Sequence, residues 1–220
     1  MTMAMAMWVG SDGALLGAEA AGRFDGEIRA FERRDATNPP APGVVLFTGS
    51  SSVVKWRSLA DDFAGYPVLN RGFGGSTWRD LNHYFVRVVP RYQPRAVVVY
   101  EGDNDLAAGR SVAECLADFD KFHRLMREHL PGAPVAILAV KPSASRRHLM
   151  TAQTQLNRQI QERIRSDENW ALLDIASLMV DSAGEPRAEL FEPDRLHVNA
   201  AGYALWVPLV RPWVEKFGGP

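Results

Sequence analysis

Several things are scarce in this 220-residue chain, and each scarcity removes a class of explanation. There is one cysteine, Cys115, so no intrachain disulfide can staple the fold. It falls inside a helical apolar pattern, where a thiol acts as a small buried hydrophobe. No run approaches the roughly 20 apolar residues that a membrane-spanning helix needs. Neither sign of charge is in excess: 25 Lys and Arg stand against 26 Asp and Glu, for a net charge of -1. A broad cationic face for phosphate groups is therefore not expected, and nucleic acid and anionic membranes are not expected partners. The five histidines show no zinc-ligand spacing, and Gly72, Gly74 and Gly75 lack the third glycine of a dinucleotide fingerprint, so the expectation is no metal and no cofactor. The opening residues have neither a basic n-region nor a continuous apolar h-region, which points to a cytoplasmic location. No internal repeat or low-complexity block is visible.

What is present is a composition of 46% hydrophobic and 23% charged residues, ordinary for a globular chain of one main domain. Met1 to Gly22, rich in Met, Ala and Gly without a clear period, reads as an irregular extension. Glu27 to Arg34 has Ile28 and Phe31 spaced for a short helix, and Asn38-Pro39-Pro40-Ala41-Pro42-Gly43 stops it. The expected organisation is an N-terminal extension and linker over residues 1–42 and a domain over 43–220.

From Val44 onward, short apolar runs alternate with amphipathic stretches. Strands are predicted at Val44 to Thr48, Val68 to Asn70, Ala96 to Tyr100, Val135 to Ala139 and Ala171 to Asp174. Helices are predicted at Lys55 to Phe63, Thr77 to Val89, Ser111 to Leu130, Met150 to Arg165 and Ala200 to Phe217, the last with a kink or break near Pro208. Ser111 and Glu114 form a capping-box pattern at the third helix. Alternation of this kind implies an α/β fold: a three-layer α/β/α sandwich around a five-stranded parallel sheet. Trp206, Trp213 and Phe217 could pack internally or against a second chain, so a homo-oligomer stays open.

Four segments carry chemistry. Gly49-Ser50-Ser51-Ser52 follows the first strand, where a tight turn exposes a hydroxyl, although Ser51 could merely cap the next helix. Asn70-Arg71-Gly72-Phe73-Gly74-Gly75-Ser76 and Glu101-Gly102-Asp103-Asn104-Asp105 follow the second and third strands. A glycine-rich turn can aim a bare backbone N–H at a ligand, and an asparagine adds a neutral donor, though Asn104 could equally brace its own turn. Near the C-terminus, Asp194-Arg195-Leu196-His197 sets a carboxylate three positions before an imidazole. Serine acyl transfer needs that pair, the imidazole to move the hydroxyl proton and the carboxylate to fix its tautomer. Ligands of open parallel sheets bind beyond the strands' carboxyl ends, so the four segments should face one crevice. Ser76 is the rival nucleophile, and Arg71, Arg79, Arg146 and Arg147 are candidates for an anionic substrate or, more simply, solvated surface.

Taken in order, these segments resemble the four sequence blocks of the SGNH hydrolases, the GDSL esterase and lipase family, across roughly Val44 to Val210. The resemblance implies the flavodoxin-like fold of that family. It further implies Ser51 as nucleophile, His197 as base, Asp194 as its orienter, and Ser51, Gly75 and Asn104 as oxyanion donors, with no cofactor. Ser50 stands where the family usually has an acid, which resembles a subgroup with a Gly-Ser-Ser-Ser first block and a third block like Tyr100 to Asp105. That acid is not a triad member. The implied activity is hydrolysis of short-chain, acetyl-type esters, a small-molecule ester being the partner, because no long unbroken apolar lid is evident. Acyl transfer to an alcohol or sugar, and a non-catalytic binding module, are the alternatives left open.

Overall fold

The computed structural model describes residues 22–219, so the irregular extension expected before them lies outside the described residues. Five strands form one parallel sheet in the order β2-β1-β3-β4-β5: β1 (Val45–Gly49), β2 (Val68–Gly72), β3 (Ala96–Tyr100), β4 (Val135–Leu138) and β5 (Trp170–Leu173). The β-branched runs favour extended backbone. In β1, β3 and β4 every residue is buried, because helices cover both faces. This is the three-layer α/β/α arrangement expected.

On one face Leu46, Val97, Val99 and Ile137 meet α1 (Asp25–Thr37), α4 (Trp78–Val88), α6 (Val112–His129) and α7 (Met150–Ile164). On the other, Val45, Phe47, Val98 and Leu138 meet α2 (Ser51–Val54), α3 (Leu59–Asp62) and α8 (Ala200–Gly218). A further short helix, α5 (Asp103–Ala107), follows β3. Both α4 and α6 begin with complete capping boxes, Thr77 with Asp80 and Ser111 with Glu114. No helix among the described residues is long and apolar enough to cross a membrane.

Two local expectations are corrected. Of the helix predicted over Lys55 to Phe63 only α3 forms, and α2 is a separate short helix before it. Between them the chain turns to bury Trp56 against Phe47, Phe63, Tyr203 and Trp206, and the indole N–H donates to Asp62 at 2.6 Å. Burial of that indole outweighs helical continuity. Of the kink or break expected near Pro208, the break does not occur. Helix α8 continues through Pro208 and Pro212, its buried stripe of Tyr203, Trp206, Val210 and Val214 holding both halves on the sheet.

The short helix expected over Glu27 to Arg34 runs from Asp25 to Thr37, and its Ile28 and Phe31 enter the same core as β1 and β3. Its Asp35 pairs with Arg71 of β2 and accepts a hydrogen bond from the Tyr92 hydroxyl at 2.6 Å, while Arg71 Nε donates to that hydroxyl at 2.8 Å. Only 38–44 connect the helix to β1. Asp35 and Arg71 are 8% and 7% exposed, so removing one partner strands the other's charge in the core. Asp35→Ala should destabilise the protein by about 3–5 kcal/mol, read from urea unfolding. A loss under about 1 kcal/mol would mean that the pair behaves as an exposed one.

Candidate active site

The sheet register brings the ends of three strands level. Gly49 is opposite Gly72 on β2 and Tyr100 on β3. At Gly49, φ is +116°, and a Cβ there would lie 2.2 Å from the Tyr100 carbonyl oxygen. Only glycine fits so close an approach. The next residue, Ser50, donates its N–H to that same carbonyl at 3.0 Å, and Ser51 becomes the first residue of α2, half-buried, where a backbone N–H has no intrahelical acceptor. Asn70 ties β2 to this turn, donating to the Val53 carbonyl at 2.6 Å and accepting from Gly72 N–H at 3.0 Å.

The loop between Phe191 and Val198, whose ends pair as an antiparallel bridge, carries the imidazole to the turn. His197 Nε2 lies 3.1 Å from Ser51 Oγ, and His197 Nδ1 lies 2.5 Å from Asp194 Oδ2. The other Asp194 oxygen accepts from the backbone N–H groups of Leu196 at 3.0 Å and His197 at 2.9 Å. The bonds from the His197 ring and backbone, then from Leu196, hold the Asp194 carboxyl well below the usual carboxylate range. A carboxylate only accepts, so Nδ1 carries the proton and Nε2 is left to accept from the serine hydroxyl. Ser51, His197 and Asp194, 146 positions apart at the extremes, thus form one hydrogen-bonded line.

The second and third blocks meet beside it. Gly75 has φ +86°, a left-handed conformation that a side chain would strain, and its carbonyl accepts from Arg23 at 2.7 Å. Asn104, on α5, donates from Nδ2 to the Ser76 carbonyl at 2.9 Å and accepts from Arg146 Nη2 at 2.9 Å. Ser76, the rival nucleophile, is fully buried and donates its hydroxyl to Glu101 Oε1 at 2.5 Å, with no histidine hydrogen-bonded to it among the described residues. Burial, reinforced by Asp105, raises Glu101 far above a normal carboxyl. Asp105 receives the Trp78 N–H at the start of α4 and is pushed up to about 7, chiefly by burial.

Of the arginines weighed as anion ligands, Arg71 is consumed by the Asp35 pair, Arg147 pairs with Glu185, and Arg146 is turned inward onto Asn104. The participation of Arg23, Glu101 and Arg146 has no local sequence signal, since each acts on a residue at least 25 positions away.

A model of the GDSL-like lipase/acylhydrolase family matches residues 39–205. The chain belongs to that family. Membership makes it a carboxylic ester hydrolase of the GDSL type. No curated protein sequence matches the chain. Among solved structures, it is similar to a GDSL-like lipase from Bacteroides thetaiotaomicron at 20% identity, covering 86% of this chain and 97% of that one with a TM-score of 0.74. It is also similar to a Streptococcus pneumonia protein described as a candidate platelet activating factor, at 18% identity over 94% of this chain and 100% of that one, TM-score 0.76. A candidate acylhydrolase from Bacteroides fragilis is 20% identical over 84% and 95% of the two chains, TM-score 0.73. At these identities the likeness establishes the shared GDSL fold.

The raised Asp105 carboxyl has a measurable consequence. Its folded value of about 7 exceeds the ordinary 3.8, so the folded enzyme keeps a proton that the unfolded chain has released, and this contribution to stability is lost as pH rises from about 4 to about 7. Asp105→Asn removes the term. Urea midpoints measured across that window should shift in favour of the variant as pH rises, whereas a pH-independent difference would contradict the assignment.

Proposed function

We propose that this GDSL-family enzyme is a serine esterase that cleaves short-chain, acetyl-type esters through an acyl-enzyme. The observation that carries the reading is the hydrogen-bonded line from Ser51 through His197 to Asp194. Ser51 Oγ attacks the ester carbonyl carbon while His197 Nε2 takes the hydroxyl proton. The carbonyl oxygen, now negative, is received by the N–H groups of Ser51 and Gly75 and by Asn104 Nδ2. As the tetrahedral adduct collapses, the C–O bond to the alcohol breaks and His197 returns the proton to the departing oxygen. Water then repeats the cycle: His197 removes its proton, its oxygen attacks the acyl carbon, and Ser51 leaves reprotonated with the carboxylic acid as product. Asp194 holds the imidazole in the required tautomer and balances its transient charge.

A short acyl group is favoured because the cavity beside the triad, which includes Asp194, is ringed by the charged side chains of Lys55, Arg57 and Glu192. A cavity of about 590 Å³, lined by Val140, Met150, Leu172 and Val180, sits between α7 and the β5 edge, and none of Ser51, Gly75, Asn104 and His197 lines it. The Gly49-Ser50-Ser51-Ser52 block and the Tyr100 to Asp105 block support the subgroup reading.

With nitrophenyl esters as substrates, Ser51→Ala should leave no measurable turnover, and Asn104→Ala should lower kcat by about 10²- to 10³-fold, the usual effect of losing one oxyanion donor. The specificity constant should fall from acetyl to octanoyl esters. Undiminished hydrolysis by Ser51→Ala would falsify the nucleophile assignment, and a rise with chain length would overturn the substrate class.

A further inference from the structure

Of the three oxyanion donors in the reading above, two are backbone N–H groups fixed by the fold. The third is a primary amide, which presents nitrogen or oxygen according to a half-turn about its last torsion. The surroundings of Asn104 settle that choice. Arg146 Nη2 lies 2.9 Å from Oδ1, and a guanidinium can only donate, so the amide oxygen must face it. On the opposite side the Ser76 carbonyl takes one Nδ2 hydrogen at 2.9 Å. A reversed amide would put oxygen against oxygen there and N–H against N–H at Arg146. Among the described residues the other Nδ2 hydrogen has no acceptor.

Arg146 is itself held. Its Nη1 lies 2.9 Å from Asp103 Oδ1, and Asp103 is buried, receiving Gln153 Nε2 at 3.1 Å and facing Lys141 Nζ at 3.6 Å and the Tyr100 hydroxyl at 3.4 Å. The Arg146 side chain is only 17% exposed. Its backbone leaves helical geometry, with φ -118° and ψ 27°, inside the helical turns of Ala144–Leu149. The preceding residue, Ser145, donates its N–H to the Arg195 carbonyl at 3.2 Å, in the loop that carries Asp194 and His197. One short segment therefore touches both the histidine loop and the asparagine.

We propose that Arg146 is a positioning residue for ester hydrolysis: its guanidinium fixes the Asn104 amide with nitrogen toward the reacting carbonyl and polarises it, making the free Nδ2 hydrogen a stronger donor to the oxyanion. The proposal rests on the reading of Asn104 as an oxyanion donor. Charge on the amide oxygen draws electron density from nitrogen, and the effect grows as negative charge appears on the substrate, so it acts on the transition state more than on the bound ester. A lysine cannot replace the arginine, because one ammonium lacks the fork that spans Asp103 and Asn104 together.

The test is a double-mutant cycle on the full chain with p-nitrophenyl acetate, comparing wild type, Arg146→Ala, Asn104→Ala and the double variant, with Arg146→Lys as a fifth protein and circular dichroism to confirm folding. Arg146→Ala should lower kcat by about 10- to 100-fold with KM changed less than about threefold, a smaller loss than removing the donor itself. Arg146→Lys should not restore the rate. In the Asn104→Ala background, Arg146→Ala should change kcat by less than about threefold, because the group through which it acts is gone. Equal losses in both backgrounds would overturn the proposal while leaving Asn104 as a donor. Wild-type kcat in Arg146→Ala would do the same. Full activity in Asn104→Ala would overturn both. Should Arg146→Ala fail to fold, the same comparison with Arg146→Lys decides: a rate equal to wild type contradicts the role, and a loss that vanishes without Asn104 supports it.

Discussion

The close approach of β1 to β3 at Gly49 is the constraint on which the site is built. Tyr100 has its carbonyl where a Cβ of residue 49 would be, and that carbonyl accepts the next backbone N–H. The strand therefore ends and the helix begins within two residues, which exposes the Ser51 hydroxyl at the sheet edge. Gly72 obeys a similar limit, since a Cβ there would fall 2.9 Å from the Val54 nitrogen. A side chain at Gly49 would push β1 away from β3, and one at Gly72 would push α2 off β2, disturbing the level edge on which the serine, the glycine loop and Asn104 stand.

Around that edge the protein spends buried charge to fix loops that have little apolar surface of their own. Asp103 gathers Arg146, Lys141 and Gln153. Glu101 and Asp105, both held toward the neutral form by burial, anchor Ser76 and the start of α4. From the N-terminal side, Arg23 holds the Gly75 carbonyl and Asp80, while Asp35 neutralises Arg71 at the far end of the same block. The helix that supplies Asp35 is thereby part of the support of the glycine loop. Buried polar groups of this kind are costly unless each has its partner, and Glu101 Oε2 and Gln153 Oε1 have none among the described residues.

Much of this was legible in the sequence because it is written locally. The alternation of apolar runs pointed to the parallel sheet, the Ser111–Glu114 capping box to the start of α6, and the four blocks to segments that the fold gathers at the strand ends, with Ser51, His197 and Asp194 within hydrogen-bond reach. What escaped was set by distant neighbours. Trp56 shortens the predicted helix because its indole fills a space among residues of β1 and α8. Helix α8 survives two prolines because its buried stripe is strong enough to carry it. Arg146, one of several arginines in a polar stretch, is distinguished from Arg147 beside it only by the partners that the fold brings, Asp103 and Asn104 for one and exposed Glu185 for the other.

The central claim is that Ser51 carries the acyl group between the two halves of the reaction. The most direct measurement is mass spectrometry of the intact protein and its peptides after rapid acid quenching of a reaction with p-nitrophenyl acetate. One acetyl adduct, located on Ser51 and present at steady state, is the expected result. An adduct located on Ser76, or steady turnover with no covalent species on any residue, would contradict it.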